Sequence, residues 1–165
     1  MPSALDDKTV AYVIASQPIF EDLRQVAAQL AGLLVLSATG AKTAAPDHPM
    51  LTSAGQLFAH AADGVERVRV SVTERARPHH DGLRGATAAL RDALTATRVE
   101  MGKPASAADL DAALVPLRRG YGCLQHAAGA LPGFQMVSFD QACCGSNVRL
   151  TPDATTGGTF SHQAN

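Results

Sequence analysis

MLTSAGQLFAHAADGVERVRVSVTER, residues 50–75, carries the longest uninterrupted helical pattern in the chain. Met50, Ala54, Leu57, Phe58, Ala61, Val65, Val68 and Val72 recur at steps of three and four residues. A helix has a period of about 3.6 residues, so these side chains fall on one face. The spacing predicts a helix from about Met50 to Arg75, ended by Pro78, whose ring restricts the residue before it.

The same period continues on both sides. Upstream, residues 8–43 read mainly as helix, with Leu23, Val26, Leu30 and Leu33 on one face. Pro18 interrupts this segment and is expected either to kink it or to begin a new helix behind Ser16. Residues 9–16 then fit a short helix or a strand. Downstream, Leu83, Ala86, Leu90, Ala93, Leu94, Thr97 and Met101 form a stripe between His79 and Gly102. Ser106 and Asp109 resemble an N-cap with an acidic partner three residues on. Behind them Leu110, Leu114, Leu117, Tyr121, Leu124, Ala128 and Leu131 repeat at alternating steps of four and three, the spacing of bundle packing. Pro116, Gly120 and Gly122 predict a kink or break near Gly120–Gly122.

Four long helices with short connections favour antiparallel neighbours. The expected fold is all-α, an up-and-down antiparallel four-helix bundle. Leu131-Pro132-Gly133 reads as a turn, followed by a short extra helix or strand near residues 134–144. Residues 1–150 are expected to form a single domain and residues 151–165 a flexible C-terminal tail.

Composition agrees with this class. Alanine accounts for 31 of the 165 residues, and it is the best helix former. Aromatic residues are only 4% of the chain, which disfavours a sheet. The net charge of −1 provides no field for nucleic acid or an anionic membrane. The most apolar stretch, Val26–Ala38, is too short to span a bilayer. The opening residues have no basic region followed by an apolar one, so no signal peptide is expected. Three cysteines do not make a disulfide framework, and reduced thiols point to the cytoplasm.

Three groups carry possible chemistry. The first is Cys123, His126, Cys143 and Cys144. Cys123 and His126 are three residues apart, on one side of a helix, and thiolate with imidazole suits zinc. Adjacent cysteines chelate one ion poorly, however, so the simpler reading is small buried hydrophobes. The second group is His79-His80-Asp81. The string His80-Asp81-Gly82-Leu83-Arg84 resembles the dimerisation helices of sensor kinases, where an acidic residue and then Leu-Arg follow the histidine. That resemblance implies phosphoryl transfer on histidine, but Gly82 breaks the spacing and no ATP-binding domain follows. The plainer expectation is that the histidines are solvated turn residues and Asp81 is stabilised by the helix dipole. The third group is Arg77, Arg84, Arg91 and Arg98, seven residues apart. They form a basic strip suited to an acidic helix or an anionic ligand, or a solvated face covering the seam with aliphatic stems.

No Glu-x-x-His pair, phosphate loop, haem attachment or nucleophile elbow is present. The sequence therefore points to a non-enzymatic binding or interaction module, with itself (a homodimer) or another protein as partner. A metal- or thiol-dependent protein and a histidine phosphotransfer bundle are the alternatives.

Overall fold

The computed structural model of the chain describes residues 5–39, 47–101 and 107–136. Four helices account for nearly all of them: α1 (Asp7–Ala38), α2 (Pro49–Val68), α3 (Arg77–Glu100) and α4 (Ala107–Ala130). Among the described residues there is no strand, so the protein is all-α there. Residues 9–16, open between helix and strand from sequence, are the first turns of α1.

Helix α1 starts where Asp6 can cap it. Its carboxylate accepts from the Thr9 backbone N–H at 2.9 Å and from the Thr9 hydroxyl at 2.7 Å, satisfying donors that a first turn leaves open. These bonds, the hydroxyl's foremost, hold the Asp6 carboxyl below its ordinary pKa. The Thr9 hydroxyl also lies 2.8 Å from that of Thr73, tying α1 to the segment before α3. Of the two outcomes expected at Pro18, a new helix does not begin there: α1 runs through it for 32 residues. Pro18 and Ile14 both lie on the exposed side, so water can bond the Ile14 carbonyl that proline deprives of a donor.

Helix α2 ends earlier than its apolar pattern predicts. Regular helix stops at Val68, and a single 3-10 turn, Arg69–Ser71, follows. The β-branched run Val68, Val70, Val72, Thr73 weakens a helix, and the Ser71 hydroxyl bonds back to the Val68 carbonyl at 2.8 Å. Val72 still packs against the core, but from extended backbone. Pro78 sits in the first turn of α3, where its missing N–H costs nothing.

Helix α4 is continuous, so the break expected at Gly120–Gly122 does not occur. Gly120 has a different use. A methyl group there would stand 3.0 Å from Leu90 of α3. On the facing helix, a methyl at Gly82 would stand 2.8 Å from the Ala127 Cβ and 3.1 Å from the Cys123 carbonyl oxygen. Glycine thus lets α3 and α4 close to near-backbone contact, and this is the most extensive helix–helix interface. Gly122, by contrast, faces open space.

One hydrophobic cluster joins all four helices, from Tyr12 and Phe20 through Leu83 and Leu90 to Leu124. Past α4 the chain turns at Gly133, whose φ of +98° suits glycine, and Phe134 folds back into the core. Residues 134–136 form neither helix nor strand; the rest of the element expected at 134–144, and the tail at 151–165, lie outside the described residues.

Two glycine substitutions should act with opposite signs. Gly82→Ala should destabilise by about 1–3 kcal/mol through overpacking, whereas Gly122→Ala should stabilise by about 0.5–1 kcal/mol through helix propensity. Thermal unfolding followed by circular dichroism measures both, and a stabilised Gly82→Ala would contradict the close α3–α4 approach.

Candidate functional site

The residues singled out from sequence do not converge on one place. His79 and His80 lie in the first turn of α3, but they are buried, at 0% and 5% exposure, and not the solvated turn residues expected. Periodicity placed them just before the stripe; the fold turns them inward because the segment before α3 packs under α1. The His80 Nε2 donates to the Val65 carbonyl at 3.2 Å, joining the start of α3 to the end of α2. His79 is enclosed by aromatic rings. Phe134 lies 4.0 Å away between centroids, tilted by 36°, and Tyr12 meets it edge-on at 5.6 Å.

The His79 Nδ1 is 3.0 Å from the Tyr12 hydroxyl, while its Nε2 is buried with no hydrogen-bond partner. Burial, reinforced by the neighbouring His80, lowers the His79 pKa to about 4. Burial likewise raises that of Tyr12 beyond its ordinary value. Both groups are neutral at pH 7 and share this hydrogen bond, whose direction the imidazole tautomer sets. An imidazole sealed in this way gives a phosphoryl donor no access to Nε2 and is a weak base. Its role here is to hold α1, α3 and Phe134 together.

The arginine strip lies on the exposed flank of α3. Arg91 stands over the Phe58 ring at 5.9 Å, and Arg98 reaches across to Gly55 of α2. These two cover the α2–α3 seam as the solvated-face reading expects, while Arg77 and Arg84 extend the strip into solvent. Cys123 is a half-buried free thiol facing Gly85 of α3, whereas His126 is exposed. Cys143 and Cys144 lie outside the described residues. Among the described residues no group of three or more His, Cys, Asp or Glu is placed to hold a metal ion.

One concavity was not singled out from sequence. It is a groove of about 590 Å³ between α1 and α4. Ala27, Ala28 and Ala31 line it from α1, and Leu117 and Gly122 from α4. Where both helices carry small residues, the space between them stays unfilled. Among the described residues Arg24 and Arg118 bring the only formal charges to its lining, and Met136 comes from the adjoining stretch of chain. Arg24 pairs with Glu21 at 2.6 Å. Arg118 has no ion pair among the described residues. The sequence signal was the closely spaced alanines of α1 and Gly122 of α4, legible only once the two helices are known to face each other.

The chain matches no family model, and neither a curated protein nor a solved structure matches it. Among the described residues no helix is long and apolar enough to cross a membrane.

The depressed His79 pKa has a definite sign. The unfolded chain takes up a proton near the ordinary value of 6.5 and the folded chain near 4. This contribution to stability is therefore complete above about pH 6.5 and is lost as pH falls towards 4, to an extent on the order of 3 kcal/mol. Unfolding midpoints measured from pH 7 to pH 4 should fall, and the fall should be smaller in the double variant Tyr12→Phe/His79→Phe, which removes both polar partners. Tyr12→Phe alone should cost about 1–3 kcal/mol by leaving the imidazole wholly unpaired.

Proposed function

We propose that the chain is an up-and-down antiparallel four-helix bundle that works as a non-enzymatic binding module, with the α1–α4 groove as its working surface for an apolar small-molecule ligand. The register of cross-helix contacts supports the topology. Along α1 and α2 the pairs are Gly32 with Met50, Asp22 with His60 and Ile19 with Gly64, one number falling as the other rises. Gly82 with Ala127, Gly85 with Cys123 and Asp92 with Arg119 run likewise between α3 and α4. Val65 with His80 and Phe58 with Arg91 do so between α2 and α3.

The observation that carries the binding reading is the groove itself. At about 590 Å³ it lies within the ordinary range of small-molecule sites. Among the described residues its walls hold no histidine, cysteine or carboxylate, and the buried Tyr12–His79 pair is not part of its lining. This arrangement suits holding a molecule more than transforming one.

In the same reading the protein is cytoplasmic and pairs with a second copy of itself. Support for pairing comes from large apolar side chains left in solvent on α1 and α4: Ile14 at 67%, Val35 at 62% and Val115 at 66% exposure.

Two measurements test these proposals. The folded protein should enhance the fluorescence of anilinonaphthalene sulfonate, and Ala31→Phe, which fills the groove, should abolish the enhancement while the circular dichroism spectrum is retained. Enhancement insensitive to Ala31→Phe would remove the groove as the working surface. Light scattering on the eluting protein should give twice the chain mass of 17.1 kDa at micromolar concentration, and a monomer there would end the homodimer proposal.

A further inference from the structure

The groove's lining narrows what it holds. Resting on the binding reading above, we infer that its ligand is a single-chain amphiphile with an anionic head, a free medium- or long-chain carboxylate, bound with its head at Arg118 and its tail directed towards Met136.

The floor comes first. Ala27, Ala28 and Ala31 offer methyl groups, and Gly122 offers none. These methyl groups supply no side-chain hydrogen bond, so whatever lies on them must itself be apolar or forfeit its bonds to water; the uncharged polar side chains of the lining, Tyr121 and Gln125, come from α4. From Arg24 to Ala31 is seven residues of α1, about 10 Å of helix at a rise of about 1.5 Å per residue. The trough therefore follows the helix axis for two turns. That shape takes an extended hydrocarbon chain along its length, gaining dispersion and burial per methylene without asking for directional contacts.

The charges come second. Both formally charged side chains among the described residues of the lining are arginines, and no carboxylate lines the groove beside them. Arg24 is already engaged by Glu21. Arg118 has no ion pair among the described residues, and a guanidinium meets a carboxylate through two parallel N–H donors. The head group is thereby assigned to Arg118, beside Leu117.

The far end comes third. Met136 lines this groove and also the neighbouring hollow formed with Gln125, Ala128 and Phe134. It therefore marks the end of the trough nearer the C-terminus of α4, away from Arg118. An unbranched thioether adapts to tails of different length.

Isothermal titration of the full chain with decanoate and with decanol, each below its aggregation concentration, separates head from tail. Decanoate should bind with one molecule per chain and about five- to tenfold more tightly than decanol. Shortening the acid should weaken binding about three- to fourfold per methylene removed. Arg118→Gln should erase the preference for decanoate and leave decanol unchanged. Because Arg118 is exposed, this variant should fold as the parent does, and Gly122→Leu, which occupies the trough, should block both ligands. Equal affinity for acid and alcohol, an unchanged preference in Arg118→Gln, or binding only to anionic lipid vesicles would each overturn the inference. If anilinonaphthalene sulfonate still reports the groove in that event, the binding reading stands and only the ligand class falls; if that signal is also insensitive to filling the groove, both fall.

Discussion

At Gly82 the backbone of α3 lies so close to α4 that a single methyl group would meet both the Ala127 side chain and the Cys123 carbonyl. This near-contact is the constraint on which the other interfaces depend. Glycine is a poor helix residue, and its loss of propensity at positions 82, 85 and 120 is offset by dispersion between two closely approaching surfaces. Once α3 and α4 are closed in this way, Leu83, Leu90 and Leu124 are committed to the shared core, and α1 must cover what remains. Helix α1 does so with its larger residues, Tyr12, Phe20, Leu23 and Leu30, all fully buried. Between them and α4 it presents alanines, and there the surfaces do not fill. The tight interface and the open groove arise from one cause: small side chains either let backbones approach or leave a void, depending on whether the partner helix is free to move in.

The polar interactions that position the helices are few and mostly buried. Thr9 with Thr73, Tyr12 with His79 and His80 with the Val65 carbonyl all gather where the start of α1 meets the start of α3. In that setting an unmade hydrogen bond is costly, so these bonds fix which ends come together more than they add net stability. The surface pairs Asp22–His60 and Arg119–Asp92 span helices as well, but solvent screens them and they contribute little. Among the described residues Gln29 Oε1 and His79 Nε2 are buried without a hydrogen-bond partner, and burial of the His79 ring, followed by the neighbouring His80, disfavours its charged form and lowers its pKa.

Much of the helical content was legible in the sequence because apolar residues repeat with the helix period. The helix read from His79 to Gly102 lies within two residues of α3 at each end, whereas the one read from Met50 to Arg75 starts next to the first residue of α2 but overruns its end at Val68. Errors arose where a local rule was applied without knowing the surroundings. Pro18 and Gly120–Gly122 looked like interruptions, but Pro18 faces water and Gly120 faces Leu90, so α1 and α4 pass through them. Val72 kept the helical period after the backbone had left the helix, because a residue at a chain turn can reach the same core from extended conformation. Charged and polar residues were harder still. Histidines at a helix start read as solvated, yet His79 is wholly enclosed. Arg24 and Arg118 drew no notice, since nothing local marks an arginine that borders a groove.

By itself, then, the sequence determined the all-helical class and most of the helix positions, because periodicity and alanine content act through neighbours three and four residues apart. It also determined that the arginines at 77, 84, 91 and 98 share a flank of α3, for the same reason. Only the tertiary structure decided which helices close tightly and which stand apart, that Tyr12 from the first helix meets His79 of the third, and that Arg118 stands beside the alanines of α1. Those outcomes depend on contacts between residues far apart in the chain, where volume, burial and charge are set by the partner surface and not by the residue's own segment.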